Sequence, residues 1–352
     1  VSLEIYGWNE SFAKDFAELG EPGLEPARVV LAAGGAYRLA RAAGEASGTL
    51  SGRFRHRISS SDGYPTVGDW GAIDRESLRI EGLLPRRTKL SRKAAGRKTQ
   101  EQVVAANIDV VFAVMGLDAN FSPRRLERFL ATVWESGAQP VVLLTKMDLC
   151  TDADFKAGEI AEVAAGVEVI LSSAVDGRGI DRLRDRLLPA KTSVLVGSSG
   201  VGKSTIINRL LGRDAQKTRE VLEDDSKGRH TTSHRELFVL PGGALLIDNP
   251  GVREIQLFGA EESLEQTFAD VASLAESCRF SDCTHRSEPS CAVLDAVAKG
   301  ELSEERLESF RSLERELHYL RTRQDQSAQR AQKQKWRAIH REMRRSGRHR
   351  RT

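Results

Sequence analysis

"TSVLVGSSGVGKSTIINRLLG", residues 192–212, reads as a buried strand, a glycine-rich loop and a helix in direct succession. Inside it "GSSGVGKS" matches G-x-x-x-x-G-K-[ST] in the strand-to-helix setting where that pattern has a physical meaning. Gly197, Gly200 and Gly202 let the backbone N–H groups of the loop, with Ser198, Ser199 and Val201, curl around a chain of phosphates. Lys203 neutralises β- and γ-phosphate charge. The Ser204 hydroxyl can ligate Mg²⁺, and Ser204 and Thr205 open a helix whose dipole favours an anion.

Downstream, "ELFVLPGGALLIDNPG" (236–251) predicts a hairpin, two apolar runs around Pro241-Gly242-Gly243. Asp248 at its second strand end can hold Mg²⁺ through water, and the Gly251 N–H can meet the γ-phosphate. Upstream, "PVVLLTKMD" (140–148) predicts a strand ending in a polar motif, Thr145-Lys146-Met147-Asp148. Asp148 can accept two hydrogen bonds from the N1 and N2 edge of guanine, while the Lys146 stem covers the ring face. Adenine offers no such donor pair, and a polar mismatch of that kind discriminates by roughly 10⁴–10⁵. "VEVILSSA" (167–174) is another strand, and the N–H groups of Ser172, Ser173 and Ala174 can meet guanine O6. The base-reading segments thus precede the phosphate loop, inverting the usual order of a guanine-nucleotide switch domain. One site still results if all these loops lie at the carboxyl edge of one parallel sheet. Chain ends commonly lie close together, so they can be joined and a new break opened elsewhere. The expected fold is therefore a circularly permuted α/β P-loop GTPase domain.

Other segments flank it. "SPRRLERFLATVWESG" (122–137) predicts a helix, with Ser122 as N-cap, Pro123 in the first turn and Gly137 at the stop. Trp8 onward predicts a short amphipathic helix, and Ala27 to Leu90 a small all-β unit of about five strands, sized for an OB-fold barrel. After Gly259 the pattern turns helical, and Ser303 can cap a last helix with Leu307, Phe310, Leu313, Leu317 and Leu320 as its apolar stripe. This gives three expected domains: 1–95, an N-terminal extension and RNA-binding barrel; 96–258, the GTPase; and 259–352, a zinc-binding helical unit with a basic tail.

Composition narrows the partners. No stretch approaches the length needed to span a bilayer, and "VSLEIYGWNESFAKDF" lacks the pattern of a secretory signal, so a cytoplasmic monomer without membrane contact is expected. Residues 321–352 carry twelve Lys or Arg against two Asp or Glu, while the whole chain is only +3. A basic tail on an acidic body points to a polyanion, nucleic acid first. "RRTKLSRKAAGRK" (86–98) is a second basic stretch, read as a solvated linker or an RNA contact. Trp336 and His340 among the tail's cations could stack on RNA.

Of four cysteines, Cys150 stands alone and reads as a small buried hydrophobe. Cys278, Cys283, His285 and Cys291 fall within fourteen residues. Three thiolates and an imidazole suit one tetrahedral structural Zn²⁺ with no position left for water.

Together, "AANID" (105–109), "TKMDL" (145–149), "GSSGVGKST" (197–205), "GRHTTSH" (228–234), "DNPGVRE" (248–254) and "CRFSDCTHRSEPSCAV" (278–293) resemble the ribosome small-subunit-dependent GTPase A family. The resemblance covers nearly everything from about residue 100 to 300, and "VGDWG" (67–71) is compatible with that family's N-terminal OB-fold. It implies a cytoplasmic factor in late maturation of the small ribosomal subunit, one that binds the subunit and its rRNA with GTP, hydrolyses GTP when stimulated, and leaves.

Two residues depart from the pattern. Thr145 stands where Asn is commonest and normally braces the phosphate loop, so weaker affinity with unchanged guanine selectivity is expected. Asn249 stands where Thr is usual, with little effect expected. Val252 occupies the place of the water-orienting Gln of Ras-like proteins, so a slow intrinsic rate is expected. His230 is the candidate to position water, or else to contact partner RNA; Thr231 or Thr232 would complete the Mg²⁺ shell. Two other readings stay open. One is an RNA-binding scaffold holding GTP as a structural ligand. The other is a P-loop ATPase or kinase, which Asp148 opposes.

Overall fold

A computed structural model describes residues 2–93, 101–198, 200–212, 235–248, 261–320 and 322. Ser199, His230, Thr231, Thr232, Asn249, Gly251, Val252, Trp336 and His340 lie outside these residues. Five strands form the N-terminal barrel: β1 (Leu24–Ala33), β2 (Ala36–Arg41), β3 (Gly44–Leu50), β4 (Trp70–Asp74) and β5 (Arg79–Leu83). Their order is β1-β2-β3-β5-β4, and β4 pairs back on β1 to close the barrel. Alternate residues point inward, so Ala27, Val29, Leu39, Ile73 and Ile80 make its core. The run "GTLSGRF" (48–54), inside the segment expected to be all-β, divides. The Ser51 side chain accepts a hydrogen bond from the Phe54 N–H at 3.0 Å and caps a helix, α2 (Gly52–Arg57). Helix α1 (Glu10–Glu18) lays Trp8, Phe12 and Phe16 against Trp70, with Trp8 and Trp70 ring centres 4.7 Å apart.

The basic stretch read as a linker is partly a strand. β6 (Lys89–Lys93) pairs antiparallel with β7 (Glu101–Ala106), Lys89 opposite Ala106. Leu90, Val104 and Ala105 carry the barrel's Trp70 cluster over to Val111 and Val194 of the next sheet.

That sheet holds β8 (Val110–Gly116), β9 (Gln139–Thr145), β10 (Glu168–Leu171), β11 (Thr192–Val196), β12 (Arg235–Val239) and β13 (Leu245–Asp248). Its order is β10-β9-β8-β11-β13-β12, parallel except for β12, which forms the expected hairpin with β13. These strands are continuous apolar runs because helices cover both faces. α3 (Pro123–Glu135), α4 (Ala153–Val163), α5 (Ile180–Asp185) and α6 (Lys203–Leu211) are those helices. Ser122 sits at the α3 N-cap, although its side chain makes no capping bond. β12 also pairs with β1 of the barrel, Leu31 opposite Glu236, so barrel and sheet run on as one.

Arg28 stitches this junction. It is 1% exposed and donates to Tyr6 O at 2.5 Å, Asn107 O at 3.2 Å and Thr192 Oγ1 at 3.1 Å. Burial pulls its pKa down to about 10, against the opposing pull of Asp109 and Asp69.

The C-terminal unit contains helices Glu261–Thr267, Ala269–Ala275 and Ala292–Lys299 and a last helix over 304–320. Ser303 caps the last, its Oγ accepting from Arg306 N at 3.1 Å. The predicted stripe of Leu307, Phe310, Leu313, Leu317 and Leu320 packs on Phe268 and Val293. No described helix is long and apolar enough to cross a membrane.

Candidate nucleotide-binding site

β8, β9, β10, β11 and β13 are parallel, so their carboxyl ends, at Gly116, Thr145, Leu171, Val196 and Asp248, lie at the same edge of the sheet. Gly197 begins the phosphate loop packed on β8: a Cβ there would lie 2.3 Å from Val114 O. Gly200 and Gly202 both take left-handed φ, +79° and +95°, where a side chain is strained. Gly202 then serves as N-cap of α6. Lys203 Nζ donates to Gly197 O at 2.7 Å and Ser198 O at 2.6 Å, which places the ammonium inside the curl of the loop. Ser204 and Thr205 occupy the first turn of α6.

The "TKMD" motif touches this loop directly. Thr145 Oγ1 lies 2.5 Å from Val201 O and 3.3 Å from Met115 O; its single proton goes to the nearer oxygen. The hydroxyl therefore supplies the brace that the departure from Asn was expected to weaken. Met147 N–H donates to Ser172 O at 3.2 Å, joining the "TKMD" and "SSA" loops, and places half-buried Asp148 beside them. Lys146 is left-handed, φ +62°, and its ammonium is held by Asp118 Oδ2 at 2.6 Å. Burial would raise the Asp118 pKa, but hydrogen bonds from Lys146 and Asn120 outweigh it and hold the carboxyl at about 2. Sequence reading missed Asp118. The only local signal was Asp-Ala-Asn after a strand, in which Asp118 Oδ1 accepts from Asn120 N at 2.9 Å.

The "SSA" loop is held by backbone hydrogen bonds. Ser172 N–H is taken by Leu144 O at 2.7 Å and Ser173 N–H by Arg178 O at 2.9 Å. Gly179, φ +72°, closes the loop where a Cβ would collide with Leu171 O at 1.8 Å. Among the described residues no partner holds the Ala174 N–H. Arg178 is bound to Asp176 at 2.8 Å; that hydrogen bond, and then the charge of nearby Asp148, raise its pKa.

Asp248 ends β13, beside β11 and opposite Glu236 of β12. The Ser204 hydroxyl and the Asp248 carboxylate are oxygen donors of the kind a hard cation takes. Cys150 is not the buried hydrophobe expected. It is half-buried in the turn before α4, with Sγ 3.1 Å from Asp152 Oδ1.

The four metal-type ligands converge: their donor atoms all lie within 4.8 Å of one another. Cys278 and Cys291 Sγ are 3.9 Å apart, and His285 Nδ1 lies 3.6 Å and 3.5 Å from them. A tetrahedron with ordinary Zn–S and Zn–N bonds has edges of about 3.8 Å and about 3.5 Å. His285 adopts φ +55° to turn its Nδ1 inward. Burial lowers the His285 pKa and favours the neutral ligand form; Arg311, whose Nε and Nη2 are buried without a hydrogen-bond partner, acts on it too. A Zn²⁺ held by three thiolates and an imidazole carries one net negative charge, which such a guanidinium would balance. The cluster is compatible with a structural zinc.

Comparison with known proteins agrees with this geometry. Residues 83–258 match the family model described as RsgA GTPase. The small ribosomal subunit biogenesis GTPase RsgA of Opitutus terrae is 44% identical, over 97% of this chain and 96% of its own. The crystal structure of YjeQ from Thermotoga maritima superposes with a TM-score of 0.63 at 27% identity, covering 84% of this chain and 98% of that one. YloQ, described as a circularly permuted GTPase, gives 0.60 at 27% identity, covering 84% and 95%. With loops from both sides of the inverted order meeting at one sheet edge, the chain belongs to the RsgA GTPase family and is a GTP hydrolase.

Proposed function

We propose that this GTPase works on the small ribosomal subunit in its late maturation, in the cytoplasm and as a monomer. It binds the subunit and its rRNA with GTP, hydrolyses GTP faster there, and leaves with GDP. Support for a single guanine-nucleotide site comes above all from the Thr145–Val201 hydrogen bond, which joins the base motif to the phosphate loop across 56 residues.

In this reading residues 197–205 and Gly251 cradle the phosphates. Asp148 reads the guanine N1 and N2 edge. With the Ser172 and Ser173 N–H groups already bonded, Ala174 offers the N–H for O6. Lys146, steadied by Asp118, lays its stem on the ring. Ser204, Asp248 and Thr231 or Thr232 would hold Mg²⁺, which would supply positive charge against that of the phosphates. His230 positions the attacking water.

Turnover measured with and without purified small subunits tests the proposal. Stimulation of roughly 10³–10⁵ is expected if the partner supplies a missing catalytic group. Equal rates would leave a GTPase with some other partner. RNA backbone contacts from the barrel, the 86–98 stretch and the tail predict binding that weakens with salt, with a log–log slope of about −0.7 to −0.9 per phosphate neutralised.

One structural zinc is proposed for the Cys278–Cys283–His285–Cys291 cluster. Metal analysis should return about one zinc per chain, and Cys291→Ser should lose it and destabilise the C-terminal unit. A folded chain purified without zinc would remove the assignment.

A further inference from the structure

The reaction lacks one charge in the site drawn so far. Transfer of the γ-phosphoryl group to water spreads negative charge over three equatorial oxygens, and Lys203 and Mg²⁺ meet it mainly on the β–γ side. Val252 cannot contribute there. On the side facing α3, however, the structure carries a guanidinium. Arg125 Nη1 donates to Ser198 Oγ at 3.1 Å, so the cation stands one side chain from the loop that wraps the phosphates. Among the described residues no carboxylate lies within ion-pair distance of Arg125, although Arg124 and Arg128 beside it both have one, Glu308 at 3.5 Å and Glu316 at 2.5 Å. Arg125 is exposed, and it lines a small void with Asn120, Leu126, Ser198 and Val201 that has room for about one water. Its helix is also fixed from behind. Glu127 pairs with Arg306 of the C-terminal unit at 2.6 Å, in the interior.

We infer that Arg125 is a catalytic residue of the hydrolysis, a guanidinium supplied in cis that leaves the Ser198 hydroxyl and binds the γ-phosphate oxygens in the transition state. The water oxygen forms the new bond to phosphorus, and the bond from phosphorus to the β–γ bridging oxygen breaks. The leaving electrons go to GDP, and the water's protons leave on the inorganic phosphate. Arg125 transfers no proton; its N–H groups only offset the charge that builds. Because its head must travel from Ser198, it adds little to ground-state binding. This assignment rests on the nucleotide-site reading above, and not on stimulation by the subunit.

Single-turnover GTP hydrolysis without subunits tests it, together with GDP affinity and formation of a GDP–aluminium fluoride complex. Arg125→Ala is expected to lower kcat at least tenfold, toward the scale of 10³ for a lost arginine finger. KM and GDP affinity should stay within threefold, and the fluoride complex should be lost. Arg124→Ala, one residue away on the same helix, should behave as wild type. Two results overturn the inference. One is kcat for Arg125→Ala within tenfold of wild type. The other is GDP affinity falling in step with kcat, which marks Arg125 as a brace of the loop. Failure of the underlying site reading looks different: the unaltered protein would then bind no guanine nucleotide.

Discussion

Asp148→Asn is expected to weaken GTP binding by roughly 10²–10³ and to turn the protein toward xanthosine triphosphate. In the proposed site the wild-type carboxylate offers two acceptors to two guanine donors. An amide presents one acceptor and one donor, so the guanine 2-amino group meets an N–H. Removing one side of a buried, charge-assisted pair costs about 2–5 kcal/mol, and each 1.4 kcal/mol is tenfold in affinity. Xanthine carries an oxygen at position 2 and accepts where guanine donates. The new amide satisfies it, and the binding lost for GTP is recovered for XTP. Nucleotide competition by titration checks this. The fold is not at risk: Asp148 is half-buried, and the loop is held by Met147 N–H on Ser172 O and by Thr145 on Val201 O. If Asp148→Asn keeps wild-type preference for GTP over XTP, the base is read by other residues and the inverted motif order has been misassigned.

The loops were legible because each is short and chemically complete in itself. Three glycines and a lysine in "GSSGVGKS", or a carboxylate after an apolar run in "LLTKMD", fix local backbone and charge whatever surrounds them. Parallel strands then bring them to one edge without regard to order. The cluster at Cys278–Cys291 was legible for the same reason, four ligands within one short loop. The hairpin announced itself through Pro241-Gly242-Gly243.

What stayed hidden depends on contacts between distant segments. Alternation in "KLSRK" is visible only when its charges are set aside, so β6 read as linker. Its partner lies across the poorly patterned 94–100 stretch. Nothing in "LDAN" said that Lys146, 28 residues on, would need a carboxylate. Arg28 looks like an outward residue of a barrel strand. It is buried at the junction of barrel, sheet and N-terminal turn, and its three acceptors come from residues 6, 107 and 192.

Arg306→Ala is expected to destabilise the seam between α3 and the C-terminal unit by about 3–5 kcal/mol. Arg306 is 7% exposed and satisfies four acceptors: Glu127 Oε1 at 2.6 Å, both oxygens of Asp270 at 3.0 Å and Thr267 O at 2.9 Å. Its guanidinium also lies 4.3 Å from the Phe268 ring centre. Removing it leaves Glu127, 3% exposed, with Ser309 Oγ as its remaining partner in the interior. That stranded charge carries most of the cost, since an intact buried pair gains little over apolar packing. Glu127→Leu combined with Arg306→Met should therefore lie much nearer wild type than either single change. In Arg306→Ala the C-terminal helices should melt in a separate, earlier calorimetric transition, while guanine-nucleotide binding, whose loops are held by Thr145 on Val201 O and Met147 on Ser172 O, stays intact. One cooperative transition at the wild-type midpoint would mean that the apolar packing of Ala131 against Phe268 and its neighbours holds this seam unaided.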